Sequence, residues 1–279
     1  MTDAPALPIP LIDHVIMNAR DGLDGMAERY ATLGFTLTPR GRHTLGSINH
    51  LAVLGNDYIE LLGSPSGPEA PRTDVLDWPA GLNGLVFKTQ DSDALHAALE
   101  GQGLPVLPPQ AFSRPVATPA GSRDAAFRTV RLEPGIFAAG RLFFCHHLTP
   151  ELVWTEGRGP HPNGAVGIAG AILAADDPAV PAELFGRLFG RDFVRRTATG
   201  FTLVAGPAMI EVIPHAALVA RLGSAAPEPG GRGQFLAALA LQTISLDKVW
   251  AEAPEARRFE TGLIVPANAA CGTALIFRE

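Results

Sequence analysis

The sequence predicts an α+β fold assembled from repeated β-α-β-β-β units, and three observations lead there. Short apolar strand-like runs are each followed by one amphipathic helical stretch. The order of strand, helix and three further strands then returns along the chain. Two segments also echo one another across the halves: ATLGFTL at 31–37 answers GRLFGRDFV at 186–194, and DYIELLG at 57–63 answers AMIEVIP at 208–214. Recurrence in fixed order is the mark of a duplicated supersecondary unit.

The elements follow in order. Residues 11–17 (LIDHVIM) read as a strand, and 21–33 as a helix with Leu23, Met26, Ala27, Tyr30 and Ala31 near helical spacing. Gly34 stands where a C-terminal glycine belongs, and 35–38 (FTLT) restart an extended chain. Strands at 48–54 and 58–62 are joined by the turn Gly55-Asn56-Asp57. The second unit has a strand at 82–89, a helix at 91–99 capped by Asp91, and strands at 127–132 and 141–148. Residues 105–119 read as an irregular, proline-rich insertion. The third unit runs through 165–174, a helix at 181–188, and strands at 193–197, 201–205 and 209–213. A fourth occupies 239–279 with a shortened helix near 247–253. Pro/Gly-rich joints at 64–81, 155–164 and 223–233 divide the units, giving an expected division into halves at 1–158 and 159–279.

Composition narrows the class of protein. Of 279 residues, 47% are hydrophobic and 18% charged, which supports a sizeable core and excludes a disordered chain. A formal charge of -6 without a Lys/Arg run argues against a nucleic-acid partner. Two cysteines, Cys145 and Cys271, are too few for a disulfide framework and fit a reducing cytoplasm. The first ten residues carry no Lys or Arg, unlike a signal peptide, and no apolar run approaches the ~20 residues that span a bilayer. A cytoplasmic, soluble monomer or homodimer is expected, with a small molecule as its partner.

Several familiar motifs are absent: GxGxxG with a distal acid, GxxxxGK[ST], HExxH and CxxC. GSPSG at 63–67 centres on Pro65 and so is no nucleophile elbow. Cys145 and His146 are sequence neighbours on a strand and point apart, so they do not form a thiol–imidazole pair.

A histidine in the first strand, GRHTLGSINHLAVLGNDYIELLG at 41–63 and RLFFCHHLTPELVW at 141–154 resemble the vicinal oxygen chelate superfamily, in particular its glyoxalase-like domain branch. The resemblance implies that each pair of units closes into an eight-stranded cup. The whole chain would form two glyoxalase/dioxygenase-type cup-shaped mixed sheets flanked by helices. It also implies a divalent metal on the cup floor, held by the first and last strands of each unit. His14 and Glu60 take those positions in the first unit. In the second, the position of His14 falls at about Leu85, which cannot ligate. His146 or His147 occupies the last strand; alternation sends them to opposite faces, and aligning FFCHH with YIEL favours His146.

Nitrogen and oxygen donors without thiolate suit Zn, Fe, Mn, Ni or Co. Glu60 is either a ligand or a catalytic general base. Bland readings stand beside these. His14 shares a strand face with Ile12 and Ile16 as a core histidine would, and Glu60 has a salt-bridge alternative in Arg40, Arg42 or Arg131. His43 and Asn49 are candidates for the mouth of the cup and for contact with substrate. In the second half Glu211 matches Glu60, but Gly167 and Ile168 stand where His14 would be, so a scaffold or metal-free cup is expected there. By resemblance, the activity is that of a metal-dependent isomerase/lyase or a ring-cleaving dioxygenase acting on a small oxygenated molecule in the N-terminal cup. The alternative is a non-catalytic binding or sequestering protein of the drug-resistance type.

Overall fold

The computed structural model describes residues 7–65, 72–154 and 159–279. Parts of the joints at 64–81 and 155–164, of the GSPSG segment and of the expected boundary at 158 lie outside the described residues. The first unit comprises β1 (Ile12–Arg20), α1 (Leu23–Thr32), β2 (Gly41–Arg42), β3 (Ile48–Val53) and β4 (Tyr58–Gly63). After a short α2 (Thr73–Leu76) come β5 (Gly81–Lys88), α3 (Ser92–Gly101), β6 (Gln110–Thr118), β7 (Gly121–Arg131), β8 (Arg141–His147) and α4 (Glu151–Trp154). The second half repeats the order with β9 (Ala165–Ala175), α5 (Ala179–Phe189), β10 (Val194–Arg196), β11 (Phe201–Ala205), β12 (Ala208–Pro214) and α6 (His215–Leu222). It ends with β13 (Gln234–Thr243), α7 (Leu246–Glu252), β14 (Arg257–Phe259), β15 (Gly262–Val265) and β16 (Ala274–Arg278).

Local chemistry explains most of these limits. Leu23, Met26 and Tyr30 form the buried stripe of α1, and Gly34 beyond its end has φ 80°, a left-handed conformation that glycine adopts without strain. The Asp91 carboxylate accepts from the backbone N–H groups of Asp93 and Ala94, capping α3 as its sequence implies. Two expectations need correction. Residues 35–38 are not a strand, and the two-residue β2 lies further on. The proline-rich stretch contains β6, the outermost strand of its sheet, where Pro115 costs no ladder hydrogen bond on the open side.

Two eight-stranded mixed sheets result, ordered β2-β3-β4-β1-β5-β8-β7-β6 and β10-β11-β12-β9-β13-β16-β15-β14. In each, the first strand of one unit runs antiparallel to the first strand of the next and parallel to the last strand of its own unit. The first sheet curls almost into a barrel. Near its two edges, Thr44 N–H donates to the Ser113 carbonyl at 2.9 Å, and Ser113 N–H donates to the Thr44 hydroxyl at 3.1 Å. Its concave face carries Ile16, Leu51, Tyr58, Val86, Phe127 and Cys145. Its back face joins α1, α3, α5 and the back of the second sheet in one continuous core, in which Phe189 of α5 packs on Phe87 with ring centroids 4.6 Å apart. The concave face of the second sheet is alanine-rich and covered by Leu218 and Leu222 of α6.

A buried histidine and carboxylate cluster in the first cup

The candidate site begins with an irregularity in β1. Ile12 pairs with Phe87 and His14 with Val86, so Asp13 is an extra residue on β1, a β-bulge. Strict alternation would send Asp13 away from His14; the bulge brings their side chains together. Asp13 Oδ1 accepts from His14 Nδ1 at 2.6 Å and from His147 Nε2 at 2.9 Å. Burial by itself would raise the Asp13 pKa, but the two imidazole hydrogen bonds outweigh it and hold the carboxyl well below the usual carboxylate range. Ile12 joins the back-face core instead of the face of His14, which corrects the simple alternation.

With Nδ1–H committed to Asp13, the His14 ring turns Nε2 into the cup, 3.6 Å from Glu60 Oε2. Tyr58 lies flat against the imidazole, with ring centroids 4.3 Å apart. Glu60 Oε1 accepts from Asn49 Nδ2 at 2.7 Å, and the same amide lies 3.3 Å from His43 Nε2. His43 Nδ1 in turn meets the Ser47 hydroxyl at 2.9 Å. Burial lowers the His43 pKa to about 4 against the opposing pull of Glu60, with Arg114 adding to the lowering, so the ring is neutral near pH 7 and Nε2 accepts from Asn49. Arg40, one of the arginines considered for Glu60, pairs with Asp24 instead. The buried Arg114 of β6 completes the lining with Phe112, Phe127 and Phe143. They enclose about 40 Å³, space for an ion with a water or two.

His14, Glu60, His43 and Asn49 therefore converge on one cavity. The last strand departs from expectation. His147, not His146, shares the concave face with Phe143 and Cys145, while His146 shares the other face with Phe144 of the back-face core. Register also places Val86, not Leu85, opposite His14. Because His14 pairs with Tyr58 and Val86 with Phe143, the counterpart of Glu60 in the second unit is Cys145. In the second half, the same reasoning makes Gly170 the counterpart of His14. A Cβ there would lie 2.0 Å from the Met209 carbonyl oxygen, so that position excludes a side chain altogether. Glu211 is bound by Arg221 Nη1 at 2.7 Å. Asp13 and Arg114 are the residues that sequence reasoning missed. The adjacent His14 was the only signal for the first, and the second lay in a stretch read as irregular.

Among the described residues, one group of three His, Cys, Asp or Glu side chains has all its donor atoms within 4.8 Å of one another: Asp13, Cys145 and His147. No helix among them is long and apolar enough to cross a membrane.

Paired βαβββ units curling around a histidine-lined floor define the vicinal oxygen chelate fold. More narrowly, a family model described as a glyoxalase-like domain matches residues 12–189, and the chain belongs to that family. No curated protein matches it in sequence. Among solved structures, a hypothetical protein from Staphylococcus aureus is similar over 97% of this chain and 99% of its own, at 14% identity and a TM-score of 0.68. A mutant of 4-hydroxymandelate synthase from Streptomyces coelicolor is similar over 98% and 94%, at 12% identity and a TM-score of 0.54. A xylose isomerase-like TIM barrel/4-hydroxyphenylpyruvate dioxygenase fusion protein is similar over 89% of this chain and 40% of its own, at 13% identity and a TM-score of 0.53. Such identities speak to fold alone.

Proposed function

We propose that the chain is a divalent-metal-dependent enzyme of isomerase or lyase type, acting on a small oxygenated molecule in the N-terminal cup. The observation that carries this reading is the buried pair of His14 Nε2 and Glu60 Oε2, 3.6 Å apart, with His14 oriented from behind by a carboxylate. Two metal–ligand bonds of ~2.0–2.2 Å span that separation, and a carboxylate behind the imidazole is the usual outer support of a metal-bound histidine. His14 and Glu60 would hold the ion, leaving its other positions to water and substrate oxygens. When bound, the ion supplies positive charge that acidifies a C–H beside a pair of oxygens.

The chain's own residues supply the rest. Asn49 fixes Glu60 Oε1, so the freedom of the carboxylate lies at Oε2, the atom that would take the proton from the acidified C–H. Tyr58 keeps the His14 ring in plane, and Phe112, Phe127 and Phe143 exclude water. Arg114 gives the cup a cation suited to an oxygen-rich substrate.

The test is manganese, a metal that favours N/O ligands over thiolate. Calorimetric titration should give about one equivalent in the wild type, lost in both His14→Ala and Glu60→Gln; wild-type binding in both variants would remove the site. A second reading, a sequestering protein without turnover, is favoured by Val86 at the position of a second histidine. Protein that refuses manganese yet binds small oxygenated molecules would establish that reading. Metal-dependent C–H exchange into deuterated water, followed by NMR, would establish the enzyme.

A further inference from the structure

Beyond the closed cup, a groove of about 920 Å³ lies at the end of the curled first sheet. Asp13, Cys145 and His147 reach it from below, and Trp154 and Lys88 flank it. We propose that these three side chains form a second metal site, selective for zinc, whose open position faces the groove and takes a small anion with a flat apolar body.

The donors suit this role. Cys145 and His147 stand two residues apart on β8 and so share a face, and the β1 bulge brings Asp13 to them. Carboxylate, thiolate and imidazole together favour zinc over manganese or magnesium, and three protein donors leave one tetrahedral position open. His147 Nε2 already points at Asp13 Oδ1 from 2.9 Å, while its Nδ1 is buried without a partner. Zinc takes the Nε2 lone pair when the ring proton moves to Nδ1, so the neutral imidazole keeps its proton. The Cys145 thiol gives up one proton as the S–Zn bond forms, and one proton per ion is released to solvent.

The groove suits an anion of that shape. Lys88 Nζ sits 5.0 Å from the centre of the Trp154 ring, joining a positive charge to an aromatic face. Ile9 and Leu11, both exposed, add apolar wall. Asp13 also supports His14 through the same oxygen, so the site adjoins the cup without using its donors Nε2 and Glu60.

Cobalt is the probe, because a cobalt–thiolate bond gives a near-ultraviolet charge-transfer band that an N/O site lacks. Wild-type protein loaded with cobalt should show the band, and zinc should abolish it by displacement. Cys145→Ser should lose it; Cys271→Ser and Glu60→Gln should keep it. His147→Ala should weaken cobalt by more than the roughly 10–100-fold that follows loss of an outer-shell partner. Thermal melts of the metal-free variants separate ligand loss from unfolding. Benzoate should shift the visible cobalt bands of the wild type, with weaker affinity in Lys88→Met. No band at saturating cobalt, a band that survives Cys145→Ser, or unchanged affinity in His147→Ala would each overturn the zinc site. Visible bands indifferent to benzoate would overturn the open position. The manganese test of the cup can fail while this one succeeds, so the two readings fall separately.

Discussion

Burial near the cup selects protonation states by geometry, and Asp57 shows it on the side facing the second half. Both of its carboxylate oxygens lie 3.1 Å from the Ile168 N–H at the seam between the halves. Burial raises its pKa to about 6, against the lowering effect of the Ile168 hydrogen bond and of Lys88. The folded state thus binds a proton more tightly than the unfolded chain, and this group's contribution to stability falls as pH rises from about 4 to about 6. Above that window the ionised carboxylate costs stability, up to about 3 kcal/mol before solvent screening. Asp57→Asn should therefore stabilise the protein at pH 7 by on the order of 1–2 kcal/mol, with the gain vanishing near pH 4. Chemical denaturation across that range measures it, and a gain independent of pH would refute the electrostatic cause. Asp13 works in the opposite sense: its hydrogen bonds from His14 and His147 add stability that is lost as pH falls through the acid range.

At the scale of elements, register decides what the sequence can reveal. Amphipathic spacing in α1, the cap of α3 and the order of strands and helices along the chain were legible because each is a local pattern. His14 and Glu60 were legible because their separate strands pair in parallel one pleat apart. Asp13 was hidden because a bulge is invisible to period-two alternation, and one extra residue moves a side chain to the other face. The alternative between His146 and His147 stayed open for a related reason: matching FFCHH to YIEL is one residue out of register, and the pairing of Lys88 with Cys145 fixes it. The β6 strand was missed because its edge position, which tolerates Pro115, is a property of the sheet. Register also yields a design. Val86 faces His14 across β1 and β5 on the concave side, so Val86→His should add a donor to the cup and raise manganese affinity at least tenfold. Overpacking should cost about 1–3 kcal/mol of stability. Titration calorimetry and a thermal melt read both effects, and unchanged affinity would mean that residue 86 does not face the ion.

At the scale of the molecule, the two sheets are not independent bodies joined by a tether. Phe189 belongs to the second half by sequence, yet it packs on Phe87 and Phe144 of the first sheet, at centroid distances of 4.6 and 5.7 Å. In the reverse direction, Phe35 of the first half meets Phe277 of β16 at 6.3 Å, and Arg29 of α1 donates to the Ala269 carbonyl at 2.6 Å. The second half, with Gly170 excluding a side chain where His14 would stand, contributes the helix that closes the back of the first cup. A shared core of this kind makes the halves cooperative. Phe189→Ala should cost about 3–5 kcal/mol, as loss of a buried aromatic ring does. That loss should appear equally in both halves. Hydrogen exchange followed by mass spectrometry would report it, since peptides from β1 and from β9 should lose protection by the same free energy. If β9 weakened while β1 kept its protection, the first cup would be folding on its own, and the second half would be an attachment to it instead of part of its core.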